Sequence, residues 1–307
     1  MTIPATIGAP DSGSASAAHA VPVGRARAIY RYILRNPAMM GGLAILFTLF
    51  LFWAVGSIFT DVSDARPLSF RPSNPPSAEH WLGTDRQGKD IVTVLIIGTP
   101  QTLRIGIIAG TVGIVIGTLL AFIAGYFGGV VDNAIRFVVD TLQTIPILIV
   151  LVAIAIAIPG DMTVEMMALI VAMLAWLGPT RVLRSQVLVM RQQKYVELAR
   201  LTGMGDLEII VKEMIPNLMP YIVANFVLAV AGAILASIGI EALGLGPFEA
   251  NTLGMTIYWN IFYASLLNGW WWWWAPPIII IVTLFVGLFL VTRGLDEWAN
   301  PRLRKRV

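Results

Sequence analysis

The sequence predicts an all-α, polytopic membrane protein with six transmembrane helices, its N-terminus and C-terminus both in the cytoplasm. Three observations carry this. Hydrophobic residues make up 57% of the 307 residues and charged ones only 13%, about half the share in an average soluble domain. The apolar residues gather into blocks of roughly twenty, the length a helix needs to cross the hydrocarbon core. The Lys and Arg residues fall mostly on one side of that block pattern. Inside hydrocarbon each backbone N–H and C=O needs an internal partner, which leaves helices or a closed barrel. Continuous apolar runs without period-two alternation choose helices.

Residues 1–37 read as a cytoplasmic tail, partly disordered: Ala, Ser, Gly and Pro dominate, and no apolar stretch follows a basic start as in a cleavable signal. Arg25, Arg27, Arg31 and Arg35 lead into a first span at 38–60. A polar loop follows at 61–99. The core at 100–295 holds five further spans, at 101–125, 134–158, 164–183, 220–244 and 275–292. A basic, amphipathic stretch at 184–219 separates the fourth from the fifth, and a basic tail at 296–307 ends the chain. Orientation follows from the excess of Lys and Arg in cytoplasmic loops. With the N-terminus inside, the cytoplasm receives the tail arginines, Arg136, the series Arg181, Arg184, Arg191, Lys194, Arg200, Lys212, and the C-terminal group from Arg293 onward. The other side receives Arg66, Arg71, Arg86 and Lys89, with Arg104 at the rim of the second span.

The second span carries a stripe of Gly106, Gly110, Gly113, Gly117, Ala121 and Ala124 on one helix face. Small residues let a neighbouring helix approach closely, so the stripe speaks for a bundle and not for any activity. Net charge is +3, with the basic residues in loops and tails, which gives no nucleic-acid footprint. Cysteine is absent, so disulfides, thiolate metal sites and cysteine nucleophiles are excluded. No catalytic or metal-ligating constellation is expected.

The segment from Tyr195 to Pro220 is the most informative. It reads as a short helix, a glycine turn at Gly203 and Gly205, and a second short helix with Asp206 as its N-cap; Pro216 and Pro220 mark its end and the entry to the fifth span. The product is a compact helical knob on the cytoplasmic face. An amphipathic helix lying on lipid headgroups is the plainer reading of the same residues.

This stretch resembles the "EAA" coupling loop of ABC importer permeases: Glu197, Ala199, Gly203 and Pro216 fall on its pattern, while Leu198, Glu213 and Ile215 depart from it. The resemblance extends over roughly 80–307. His80-Trp81-Leu82-Gly83-Thr84-Asp85 with Gly88-Lys89-Asp90 is similar to a segment of the second permease of dipeptide and oligopeptide importers. So are Ala124 to Gly129 with Arg136, Asp140 and Pro146, Leu243 to Gly246, and Asn300 to Arg304. The resemblance implies that the knob, as the coupling loop 184–219, inserts into a groove of a cytoplasmic ATPase, with Glu197, Ala199, Gly203, Gly205, Asp206 and Pro216 at that interface. It implies a sister permease, two cytoplasmic ATP-binding subunits that hold ATP and magnesium, and an extracytoplasmic solute-binding protein. No cofactor belongs to this chain itself. The location is the inner or plasma membrane of a prokaryote, with lipid around the spans, and the cargo is small peptides or oligosaccharides.

Three other features compete for a role. Gly83 to Asp90 nearly spells a phosphate-binding loop, but Asp90 stands where a hydroxyl should meet magnesium, and its charge repels phosphate. His80, Asp85 and Asp90 fit no metal spacing; Asp85 reads as the cap of a loop-to-helix segment. The run Trp270 to Trp274 reads first as an interfacial belt, and second as a translocation or docking surface through Trp270 and Trp271, since flat rings suit sugar faces. Asp140 with Arg136 reads as a structural pair one turn apart, and Gln143 and Glu241 are further polar groups near spans. The rival function is an ion-gradient-driven secondary transporter, which wants inverted repeats and midplane carboxylates; neither is evident in the sequence.

Overall fold

A computed structural model describes residues 32–299. Both tails lie largely outside these residues, as do Asn300 to Arg304. Among the described residues the fold is helical, with five helices long and apolar enough to cross a membrane and a sixth, bent pair.

Helix α1, Pro37–Phe59, starts at Asn36, whose side chain accepts the Met39 amide, with Pro37 in the first turn where its missing N–H costs nothing. Helix α2, Ile91–Phe122, begins ten residues before the span expected at 101–125 and runs through a π turn, Ile123–Phe127. Its cap is Asp90, which accepts the Thr93 amide at 2.9 Å; Asp85 instead closes the turn before it, accepting the Gln87 and Lys89 amides at 2.8 Å each. The loop before α2 is therefore 60–90, not 61–99.

The third span is not the single helix expected over 134–158. Helix α3, Gly129–Thr144, and helix α4, Ile147–Ala157, meet at 86°. Pro146 lacks the N–H that would carry the helix through, and it forces Ile145 into extended backbone. Helix α3 is amphipathic and largely exposed; α4 has 11 residues, about half a crossing. Helices α5, Val164–Ala175, and α6, Leu177–Arg191, form one near-continuous span that ends beyond the expected 183.

After the knob helices α7, Lys194–Leu201, and α8, Asp206–Ile209, a π turn at Ile210–Met214 leads into α9, Ile215–Ala242. Pro216 and Pro220 lie in its first two turns and do not end a helix; Pro216 stands in the first turn, where its missing donor costs little. The aromatic stretch 245–274 contains helix α10, Leu253–Phe262, capped by Thr252. Helix α11, Trp271–Ala299, closes the bundle.

The small-residue stripe sets the packing. A Cβ on Gly110 would lie 2.9 Å from the Val230 backbone, and one on Gly113 or Gly117 would strike Ala175 or Pro179. Thus α2 lies between α9 and the α5–α6 span, backbone close to backbone. The start of α1 and the end of α11 pack together through Met39, Val291 and Leu295, with Ala224 of α9. These ends and the knob share one end of the bundle. The 60–90 loop, α10 and the tryptophan run share the other.

Candidate coupling site

The knob grows out of the same apolar core as the inner end of the bundle. Val196 and Ala199 of α7, with Ile209, Ile210 and Met214, bury against Ala121, Phe122 and Tyr126 of α2, Leu183 and Val187 of α6 and Leu218 of α9. A displacement of the knob therefore pushes on three spans at once, because a close-packed cluster transmits force without slack.

The turn between α7 and α8 depends on one residue. Gly203 sits at φ +83°, the left-handed region that disfavours side chains, and its N–H closes on the Arg200 carbonyl at 3.0 Å. Nothing lies within 4 Å of where its Cβ would stand. The turn is thus constrained by backbone conformation and is open on its outer side. Gly205 is extended at φ −69° and supplies the cap position of α8. Asp206 is not the cap. It is the first residue of α8, and its carboxylate accepts the Tyr126 hydroxyl at 2.6 Å, tying the turn to the end of α2. The Arg200 guanidinium stands 5.3 Å from the centre of the Tyr126 ring and braces the same corner.

Glu197 and Pro216 are exposed, while Ala199 is buried at 7% and faces the knob's own core. The outer face of the knob is apolar: Leu198, Leu201, Leu207 and Val211 are 61, 80, 74 and 53% exposed. The sequence names Leu198 only as a departure from the motif and does not single out the other three. Their spacing around the glycine turn is the signal that could have found them.

A second strut missed by sequence joins Arg184 of α6 to Asp132 of α3 in a two-pronged, partly buried pair. It fixes the amphipathic half of the broken span beside the knob. The expected Arg136–Asp140 pair is present but looser and more exposed, at 3.6 Å.

At the opposite end, the near phosphate-binding loop is a cap. Gly83 and Gly88 adopt φ +71° and +77°, each with a backbone carbonyl 2.3 Å from a would-be Cβ. Lys89 is buried and donates to Asn251 Oδ1 at 3.0 Å, and Asn251 Nδ2 donates to the Ala65 carbonyl at 3.2 Å. His80 pairs with Asp90 at 2.9 Å. Burial pushes the Asp85 carboxyl up from the ordinary carboxylate range, opposed by amide hydrogen bonds and by Lys89. Burial likewise pulls the Lys89 ammonium down, opposed by Asp85. Glu241 is fully buried beneath this cap, accepting the Thr252 hydroxyl at 2.5 Å, with Gly246 and Gly254 pressed on its side chain. Of the tryptophans, Trp273 is buried, Trp270 packs against the cluster around it, and Trp271 is 55% exposed.

Comparison with known proteins decides the family. The family described as binding-protein-dependent transport system inner membrane component matches residues 113–305, which include the knob, its struts and four of the spans. The chain belongs to this family. It is a transport permease, a multi-pass protein of the bacterial cell membrane, and not a secondary carrier. It is 30% identical to the dipeptide transport system permease DppC of Bacillus subtilis over 277 residues, 90% of this chain and 85% of that protein. It is 30% identical to the oligopeptide permease OppC of Mycobacterium bovis over 220 residues, 71% of this chain and 75% of that one. It is 32% identical to the glutathione permease GsiD of Pectobacterium atrosepticum over 219 residues, 70% and 71% of the two chains.

Proposed function

We propose that the knob at 194–214 is the handle through which a separate ATP-binding subunit drives this permease. The observation that carries the reading is the exposed apolar face of a well-packed element at the basic end of the bundle: Leu198, Leu201, Leu207 and Val211 around the open Gly203 turn. An apolar patch of this kind on a folded surface calls for a partner, and the shared core beneath it carries the partner's motion into α2, α6 and α9. Glu197, Gly203, Gly205, Asp206 and Pro216 form or shape the contact, and Ala199 seats α7 close enough to hold it. ATP and magnesium are bound by the partner, and this chain carries no ATPase site of its own. The full importer comprises this chain, a sister permease, two ATP-binding subunits and an extracytoplasmic binding protein. The cargo is a small peptide, as the names of the relatives suggest. The oligosaccharide alternative rests on the exposed Trp271 alone.

The test is Gly203→Trp in the assembled complex. The strained turn and a bulky side chain in the open space should leave the subunit in the membrane but abolish the substrate-stimulated rise in ATPase activity. Normal stimulation in a variant present at wild-type level would refute the assignment.

A further inference from the structure

Arg104 and Glu165 form an ion pair at 2.7 Å, and both side chains are more than half exposed. Their depth is unusual. Arg104 lies about 20 Å along α2 from Ile91, at 1.5 Å per residue. Its neighbour Leu103 packs with Leu49, midway along α1, and with Leu284 and Leu288 of α11. The pair therefore sits near the bilayer midplane, not at the outer rim where hydropathy alone puts Arg104. Glu165 stands in the first turn of α5, so the tip of the α4–α5 hairpin, with exposed Asp161, also stops at mid-depth, and the α5–α6 rod, though long enough to cross, covers the inner half and projects towards the knob. Ile158 at that tip packs into the cluster of Ile105 and Ala109, which fixes the level a second time.

Ionised side chains at this depth face a water-filled cavity or a bundle interior and not lipid. We propose that Arg104, Glu165 and Asp161 line the aqueous translocation pathway at its midpoint, and that the Arg104–Glu165 pair opens to receive the carboxylate and ammonium ends of a zwitterionic peptide. The apolar turn above and below supplies no other exposed charge on α2, so the pair is the place where a doubly charged solute exchanges hydration for fixed partners. The second half of this inference rests on the peptide reading above; the first does not.

Two measurements on the complete transporter in membranes test it. The chain has no cysteine, so single thiols report cleanly. Asp161→Cys and Thr111→Cys, the latter exposed two turns from Arg104 on the same face of α2, should react with a membrane-impermeant, charged methanethiosulfonate, and a saturating dipeptide should slow the reaction. Thiols that stay unreactive in the assembled complex overturn the aqueous lining. Uptake is then compared for alanyl-alanine, its N-acetyl form and its C-terminal amide. Glu165→Gln should erase most of the preference for a free amine, and Arg104→Gln most of the preference for a free carboxylate, each by about tenfold, the worth of one charged hydrogen bond. Glu165→Gln and Arg104→Gln chains that transport with wild-type selectivity would overturn recognition and leave a packing role. A wild-type complex that carries none of these peptides, while both thiols react, refutes peptide recognition and supports the aqueous lining.

Discussion

Removing the Tyr126 hydroxyl should loosen the knob without unseating the bundle. In Tyr126→Phe the ring remains buried in the inner core and beneath Arg200, and the hydroxyl is lost with its 2.6 Å bond to Asp206 and its interaction with Arg200. A hydrogen bond to a charged group is worth about 1.5–3 kcal/mol. Asp206 is exposed and water can replace the donor, so the low end applies, about 1.5 kcal/mol. That corresponds to roughly a tenfold rise in the population with the α7–α8 turn undocked. Amide hydrogen exchange in nanodiscs reads this directly. Protection over 194–209 should fall about tenfold, with protection in the glycine-rich part of α2 unchanged. A built-in control is Tyr195→Phe, because the buried Tyr195 hydroxyl has no partner among the described residues; its removal should be neutral or slightly stabilising. Equal exchange in wild type and Tyr126→Phe, or equal loosening in both variants, would refute the strut.

Other outcomes follow from the same packing. Gly110→Leu should cost about 1–3 kcal/mol or misfold the subunit, since its Cβ meets Val230 backbone at 2.9 Å. Gly232→Ala, with nothing within 4 Å, should raise the unfolding temperature of the detergent-solubilised chain slightly, by the about 0.4–1 kcal/mol that Ala gains over Gly at a compatible helical site. Asp132→Asn should destabilise by about 1–3 kcal/mol through the partly buried, stranded Arg184, and the Asp132→Leu, Arg184→Met double variant by less, which a double-mutant cycle resolves. Trp270→Ala should lower the unfolding temperature through lost cluster packing, whereas Trp271→Ala should not; a transport defect confined to Trp271→Ala would mark a contact surface.

Hydropathy made the spans legible because lipid exposure demands apolar residues on every face, as on α1. It failed where geometry and composition part company. The break at Pro146 hides inside an apolar run, and a sliding average does not register the direction of a helix. Helix α2 starts at Ile91 because Asp90 caps it, although the sequence around it reads as polar loop. The knob was legible because Gly203 breaks the helix locally, through its own backbone. Asp206 was misassigned as a cap because its true partner, Tyr126, lies at the far end of another helix. The Arg184–Asp132 and Arg104–Glu165 pairs were illegible for the same reason: each joins elements whose proximity only the packed glycine stripe brings about.

The most direct test is site-specific photocross-linking from Leu201, the most exposed residue of the knob face, in cells producing the whole transporter. A covalent product with the ATP-binding subunit whose yield changes on ATP addition is the expected result. Products formed only with lipid, or labelling of that position by an impermeant reagent added outside intact cells, would contradict a cytoplasmic handle for the motor.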